Sequence, residues 1–407
     1  AKCLRSGAAL AMAPRNLQAV NAPALTRRGE IRLGYRCNAR CDFCYYKERL
    51  DTPKDEEPQL DTLRNHLYQL RRHGASEVEF TGGEPTIRTD LLDLVSEARE
   101  LGFRNISMIT NGLRLANTGY ATRLIGAGLN DCLISIHGHT PELHDRHTSI
   151  PGSFAKTLQA ASNVLENGAR LRVSITVTGL NYPYLTETVG AMLDLGAACI
   201  HLPVFSPVSD AADASADAMY VSYTDAATAI KGAINAHRSR LPPVSVKYIP
   251  VCFLEGYENF VMNLYQQSFD PDDWNYYWSN KLRRAKSGIT RVLFDLLVTA
   301  VGYTTRLGVQ RAHPRPGQRQ IFGLIRIVEL LRKKRVSACK DCRYDAVCDH
   351  VWKGYIDRFG ASEIRPVVGS RITDPVWAYD MARYRSSSDR VAEPMTRSPV
   401  TVSDGAV

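Results

Sequence analysis

Apolar and polar positions follow two periods between residue 30 and about residue 207. Some short runs are apolar or alternate strictly, which is typical of strands, and between them apolar residues recur every three or four positions, as on one helix face. Helical segments such as 60–74 and 90–103 end in Gly74 and Gly102, a residue type that often closes helices. The predicted strands are residues 30–35, 77–82, 106–112, 131–138, 171–179 and 199–205.

This alternation of strands and helices predicts an α/β fold with a parallel sheet covered by helices. Six strand–helix units fall short of the eight that close a barrel. We therefore expect a partial (β/α)6 TIM-like barrel with a helical insert and a small C-terminal domain. In such sheets functional side chains gather at the C-terminal ends of the strands.

The pattern changes after residue 207, and composition divides the rest of the chain. The predicted segments are an N-terminal extension (1–29), the barrel (30–207), a mostly helical, basic insert (208–335), a cysteine-bearing C-terminal domain (336–385) and a disordered tail (386–407).

The net charge of +9 is concentrated in one segment. Residues 281–335 contain fourteen lysines and arginines but only two acidic residues. Such a segment favours a polyanion, an anionic substrate or a membrane surface, although a solvated helical face has the same composition. We find no apolar stretch long enough to span a membrane and no complete signal sequence, and therefore expect a cytoplasmic protein with reduced cysteines.

Three cysteines, Cys37, Cys41 and Cys44, lie just after the first predicted strand with the spacing C-x3-C-x2-C. Thiolates on one short loop can converge on a single inorganic centre. A structural zinc ion takes four protein ligands, and a [4Fe–4S] cluster also takes four. Three cysteines around such a cluster leave one iron free for a ligand from outside the protein.

The segment CNARCDFC (37–44) resembles the cluster-binding motif of the radical S-adenosylmethionine (SAM) superfamily, including the aromatic Phe43. TNG (110–112) ends the third strand, as in many relatives. A second segment, FTGGEP, ends the second strand and resembles the family's Gly-Gly-Glu-Pro motif, whose residues here are Gly82, Gly83, Glu84 and Pro85.

The resemblance implies a [4Fe–4S] cluster bound by the three cysteines and by SAM. The reduced cluster would cleave SAM to a 5′-deoxyadenosyl radical that abstracts a hydrogen atom from the substrate. Glu84 is the implied partner of the methionine amino group, and the two glycines would let backbone approach the cofactor. A GGEP segment alone is equally typical of a turn.

Further cofactor contacts follow from the same resemblance, and for most of them loop capping or a surface ion pair is an equally compatible role. The residues concerned are Asn111, Ser135, His137, Arg146 and Asn181. For His139, His144 and His147 we predict solvated or hydrogen-bonding roles rather than metal ligation.

A second cysteine group, Cys339, Cys342 and Cys348, has the spacing C-x2-C-x5-C. It resembles the C-terminal SPASM or shorter twitch extension of radical SAM enzymes, which binds auxiliary [4Fe–4S] clusters. The full form has a further cysteine where this chain has Trp352, which favours one auxiliary cluster. Cys252 is the predicted fourth ligand. An open iron, ligation by His350 and a zinc knuckle are the alternatives.

The resemblance implies an enzyme with an external one-electron donor such as flavodoxin or ferredoxin. About thirty residues precede the first strand, too few for the leader-binding module of peptide-modifying relatives. With the basic insert, this favours a small anionic metabolite, such as a nucleotide, sugar or antibiotic intermediate in natural-product biosynthesis. The auxiliary cluster would accept an electron from a product radical or anchor the substrate.

Three other functions remain compatible with the sequence. One is a maturase that forms a crosslink or thioether in a ribosomal peptide, and another is a binding protein that keeps the clusters without catalysis. The third is an RNA-modifying enzyme, although the basic residues match no known nucleic-acid-binding motif. An aromatic patch at 274–278 would stack a base or pack between helices.

Overall fold

The computed structural model describes residues 28–72, 74–205, 214–263, 266, 332–373 and 377–378. Three predictions therefore lie outside the described residues. They concern most of the N-terminal extension, the greater part of the basic insert with its aromatic patch, and the C-terminal tail.

Seven parallel strands form one sheet in sequence order, each hydrogen-bonded to the next. Within the described residues β1 and β7 do not pair, so the barrel stays open at that seam. The strands are β1 (Arg28–Arg32), β2 (Glu77–Thr81), β3 (Asn105–Thr110), β4 (Asp131–Ser135), β5 (Arg170–Ser174), β6 (Ile200–Pro203) and β7 (Val244–Lys247).

The predicted partial barrel is confirmed, and it has one strand more than the six predicted. Strand β7 lies in a segment that the sequence indicated to be mostly helical. It has only four residues, VSVK, which are too few to display a two-residue period. Its pairing with β6, between Ile200 and Val244 for example, is a tertiary contact that local sequence does not reveal. The sheet thus continues beyond the predicted boundary at residue 207.

Helices cover the outer face of this sheet, and their apolar sides are buried against strand residues such as Ile31 and Phe80. In the described residues the helices are α1 (Leu60–Arg72), α2 (Leu91–Glu100), α3 (Thr118–Ala127), α4 (Pro141–Thr148), α5 (Ser153–Glu166), α6 (Leu185–Asp194), α7 (Tyr223–Ala236) and α8 (Lys353–Phe359).

Successive strand residues point to opposite faces of the sheet. Those on the inner face include charged and polar side chains. Arg172 is buried there between two carboxylates and donates to Asp131 at 2.5 Å and to Glu79 at 2.8 Å. A buried arginine with two carboxylate partners stays charged, and its pKa is raised well above its usual value by those carboxylates despite burial.

The C-terminal part forms a small cysteine module, residues 332–373, that packs on the barrel. It contains a two-stranded antiparallel sheet of β8 (Lys333–Lys334) and β9 (Val351–Trp352), followed by α8. The ring of Tyr355 in α8 stacks on that of Tyr223 at 3.7 Å, and its hydroxyl accepts the Tyr223 N–H at 2.7 Å. Both tyrosines are almost fully buried, so this stack is the centre of the contact.

Candidate functional site

The first cysteine loop begins where β1 ends and is built from tight turns. The N–H of Cys44 donates to Cys41 O at 3.0 Å, and that of Lys47 to Cys44 O at 3.1 Å. Two sulfurs accept backbone hydrogen bonds, Cys37 Sγ from Ala39 N–H (3.3 Å) and Cys44 Sγ from Tyr46 N–H (3.4 Å). Such bonds favour the thiolate form, in which cysteine binds metals.

The three sulfurs share one electrostatic environment. Burial raises the pKa of Cys37 to about 11, and the charges of Glu84 and Cys44 add to the effect. Burial also raises the pKa of Cys41, followed by repulsion from Cys44 and Cys37. Yet within the described residues no three metal-binding side chains come close enough to hold a single ion. Three thiols fall one short of the four protein ligands of a structural zinc ion, whereas around a [4Fe–4S] cluster they leave one iron open to an external ligand.

The Gly-Gly-Glu turn after β2 packs directly against the backbone just before Cys37. Gly83 N–H donates to Gly34 O at 3.0 Å, and Glu84 N–H donates to Arg36 O at 2.8 Å. Gly82 has φ +145°, and a Cβ on Gly83 would lie 2.1 Å from Arg36 O. In this structure the glycines are required by backbone–backbone approach, whereas approach to a cofactor stays a prediction.

Glu84 is buried and links the ends of β2 and β3. Its Oε1 accepts from Thr86 N–H (3.0 Å), Thr86 Oγ1 (2.6 Å) and Thr110 Oγ1 (2.7 Å), and its Oε2 accepts from Asn111 N–H (2.8 Å). Burial raises the pKa of this carboxyl. Because Oε2 accepts one hydrogen bond in this structure, it has capacity for another, and its contact with the methionine amino group stays a prediction. Pro85 begins the short 3-10 turn Pro85–Ile87 that follows.

Asn111 brings the end of β3 into contact with the cysteine loop. Its amide donates to Asn38 Oδ1 at 2.8 Å and lies 3.8 Å from Cys37 Sγ. Its side-chain oxygen, Oδ1, accepts from Leu113 N–H at 3.0 Å. The TNG segment at the end of β3 therefore contacts the first cysteine group.

His137 supports the loop from the side of β4, where Ser135 is half-buried at the strand end. The ring of Phe43 meets the His137 ring edge-on, with centroids 4.6 Å apart. His137 Nδ1 accepts from Thr176 N–H at 3.2 Å, and burial keeps the pKa of this imidazole well below its usual value. His137 is thus a neutral packing partner of the loop, and its ribose contact stays a prediction.

His144 and His147 stack beside His137 and are completely buried. His144 Nδ1 accepts from His137 N–H at 3.1 Å, while His147 bonds Leu143 O and Thr178 Oγ1 at 2.7 and 2.8 Å. Their predicted hydrogen-bonding role agrees with this geometry, but solvation does not. His139 lies nearer the surface, with Nδ1 3.3 Å from Thr188 Oγ1.

Asn181 and Arg146 are placed differently from the other predicted cofactor contacts. Asn181 is fully buried and donates to His137 O (2.9 Å) and Thr176 O (2.8 Å), while its oxygen accepts from Thr178 N–H (2.8 Å). Its amide hydrogens are thus already used in joining the loops after β4 and β5. Arg146 is exposed on α4. The cofactor contacts of both residues stay predictions.

Two residues that the sequence analysis did not single out shape the site. Glu57 Oε1 accepts from the N–H groups of Tyr35 (3.1 Å) and Arg36 (3.0 Å), immediately before Cys37. Arg88, just past the Gly-Gly-Glu turn, donates to Leu33 O at 2.9 Å. No local sequence signal marks either residue, because both act on backbone groups that are distant along the chain.

The second cysteine group lies near Cys252, which follows β7. Cys252 lies in the 3-10 turn Val251–Leu254, and Cys339 in the turn Ser337–Asp341. Burial raises the pKa of Cys252, and the charges of Cys348, Cys342 and Cys339 add to the effect, so these three sulfurs lie within electrostatic range of Cys252. Burial raises the pKa of Cys348 to about 12. The alternative ligand His350 directs its ring to Asp345 at 3.2 Å, and Trp352 is buried in β9.

The fold and the site define a class. It is an open parallel half-barrel with a three-cysteine loop and a Gly-Gly-Glu turn at the C-terminal edge of its first two strands. Residues 31–192 match the model of the Radical SAM superfamily. Residues 31–192 therefore form a radical SAM domain, and the members of this superfamily are enzymes.

Individual relatives resemble part of the chain. The AdoMet-dependent heme synthase of Oleidesulfovibrio alaskensis is 29% identical over 180 residues, which cover 44% of this chain and 46% of the relative. A probable GTP 3′,8-cyclase of Saccharolobus islandicus is 28% identical over 184 residues, covering 44% and 56%. The chain thus spans about half the length of these curated relatives.

Among solved structures, Streptococcus suis SuiB is similar, with a TM-score of 0.46, 17% identity and coverage of 56% of this chain and 50% of SuiB.

Within the described residues, no helix has the length and apolar character needed to cross a membrane.

Proposed function

We propose that this protein binds a [4Fe–4S] cluster and SAM at the edge formed by β1, β2 and β3, and cleaves SAM reductively to start a radical reaction. The observation that carries the proposal is the contact of the Cys37–Cys44 loop with the ends of β2 and β3. Three thiols, a glycine turn and Asn111 meet there through the hydrogen bonds described above. Three cysteine ligands leave one coordination position of such a cluster for SAM.

When bound, the cluster and SAM supply a 5′-deoxyadenosyl radical that removes a hydrogen atom from the substrate. The chain's own residues hold and orient these groups. Cys37, Cys41 and Cys44 would ligate the cluster, and Glu84 Oε2 lies beside Asn111 with capacity for an ammonium donor. Ser135 is half-buried at the end of β4, where a hydroxyl is available to the ribose.

We further propose that Cys252, Cys339, Cys342 and Cys348 bind a second, auxiliary [4Fe–4S] cluster. Four cysteines complete the ligand set of such a cluster. Their mutual electrostatic effects support a common centre. This centre would accept an electron in an oxidative reaction or anchor the substrate.

The substrate that we propose is a small anionic metabolite, such as a nucleotide, converted in natural-product biosynthesis. Lys247 supports an anionic substrate, because it ends β7 on the inner face and acts electrostatically on Glu79 and His201 there. The relatives named GTP 3′,8-cyclase are consistent with a nucleotide. An external flavodoxin or ferredoxin would supply the electron.

Anaerobic reconstitution with iron and sulfide tests both clusters. We would compare wild type with the N-terminal triple variant, Cys37→Ala/Cys41→Ala/Cys44→Ala, and with Cys199→Ala, a control cysteine outside both groups. Wild type and control should hold about eight irons and release 5′-deoxyadenosine on reduction with dithionite, and the triple variant about four irons without this product. Full 5′-deoxyadenosine release by the triple variant would refute radical initiation at this loop. If wild type holds only about four irons and the triple variant holds none, the auxiliary cluster is refuted.

A further inference from the structure

Asp345 occupies the loop between two of the proposed auxiliary ligands. Its N–H donates to Cys342 O at 3.1 Å, and it precedes Cys348 by three residues. The side chain is buried, with 5% of its surface exposed. A carboxylate so enclosed requires partners, and the structure provides three basic side chains.

These basic partners come from three separate stretches of the cysteine module. Arg335, just after β8, donates to both carboxylate oxygens at 2.6 and 2.7 Å. Arg371, from the segment after α8, donates to Oδ2 at 2.6 Å. His350 Nε2 lies 3.2 Å from Oδ1. The carboxylate therefore ties three chain segments around one cysteine loop.

Two of these segments also contact the cysteine loop through backbone. His350 has a left-handed φ of 63°, and its N–H donates to Cys348 Sγ at 3.4 Å. The segment that carries Arg371 pairs with Arg343, since Ile372 N–H donates to Arg343 O at 2.9 Å. Displacing Asp345 would therefore move both the N–H group that donates to Cys348 Sγ and the segment that pairs with the backbone next to Cys342.

The charge balance of this group is positive. Two guanidinium groups pair with one carboxylate, so the Arg335–Asp345–Arg371 group carries a net charge of about +1 beside the cysteine loop. Reduction of an iron–sulfur cluster adds an electron, and nearby positive charge favours the reduced state.

We propose that Asp345 is a positioning residue for the auxiliary centre and that the Arg335–Asp345–Arg371 group sets its reduction potential. This inference rests on the auxiliary cluster proposed above. Removal of the negative charge in Asp345→Asn should raise the potential, and removal of a positive charge in Arg371→Gln should lower it. A merely structural role would not produce shifts of opposite sign.

The experiment uses the N-terminal triple variant as background, so that only the second centre remains. An EPR-monitored redox titration is made of the background, of Asp345→Asn and of Arg371→Gln, with exposed Asp357→Asn and Arg365→Gln as matched controls. We expect opposite shifts that change the ratio of reduced to oxidised cluster about tenfold or more at a fixed potential, and controls that titrate with the background.

The outcomes separate this inference from the proposed function. If the background protein holds no iron after reconstitution, the proposed auxiliary cluster itself is refuted. A loaded background with shifts of the same sign, or with no shift, overturns the role of Asp345. If Asp345→Asn folds by circular dichroism but loses its iron, while Asp357→Asn keeps it, positioning is supported directly. If Asp345→Asn does not fold, Arg371→Gln decides, and an unchanged potential there refutes the inference.

Discussion

Gly83→Ala should damage the first centre through backbone displacement alone. The added Cβ would lie 2.1 Å from Arg36 O and 2.3 Å from Tyr35 O, which are backbone atoms that no rotamer change can move. Overpacking of this kind costs about 1–3 kcal/mol. The displacement also strains the Gly83 and Glu84 hydrogen bonds to the loop, each contributing about 1 kcal/mol. Loss of about half of their combined contribution, together with the overpacking, gives a total loss of about 2–4 kcal/mol in the free energy of unfolding.

The matched control is Gly126→Ala in α3, where nothing lies within 4 Å of the added Cβ. Because alanine is a better helix former than glycine, this variant should gain about 0.5–1 kcal/mol. Urea unfolding of the apo proteins, followed by circular dichroism, measures both changes, and iron content after reconstitution reports the cysteine loop. The reasoning fails if Gly83→Ala unfolds within about 0.5 kcal/mol of wild type and loads the first centre fully.

Three further predictions concern single side chains. Glu57→Ala removes the acceptor of two partly buried backbone N–H groups, so it should lower the free energy of unfolding in urea by about 1.5–3 kcal/mol. It should also speed iron loss to a chelator, and retained iron would contradict this. Burial lowers the pKa of His144 to about 4, so this residue should stabilise the fold above about pH 6.5 and lose that contribution as pH falls toward 4. In His144→Gln the urea midpoint should depend less on pH over this range. An unchanged pH dependence would refute this role of His144. In the N-terminal triple variant, Cys252→Ser should lower the iron content well below the expected value of about four per chain, whereas Cys199→Ser should leave it unchanged. Equal iron content in these two variants would exclude Cys252 from the ligand set.

Features carried by several residues in sequence were predictable. The six predicted strands show their periods, and the strand ends place the cysteine loop near the Gly-Gly-Glu turn, as the hydrogen bond from Gly83 to Gly34 shows. Features that depend on one long-range contact were not predictable. Glu57 acts on backbone 21 residues away, and β7 exists through its pairing with β6. The roles of Asn181 and His144 depend on burial, which a polar loop sequence does not reveal.

The placement of Cys252 connects the two parts of the fold. Cys252 follows β7 and therefore moves with the barrel, whereas Cys339, Cys342 and Cys348 belong to the cysteine module. In the apo protein the two parts are joined by the Tyr223–Tyr355 stack and by an ion pair of 2.8 Å between Arg358 and Asp217. A group bound by all four sulfurs would add direct bonds across this contact. Because a ligand that binds only the assembled state stabilises it, occupation of the second centre should also strengthen docking of the module on the barrel.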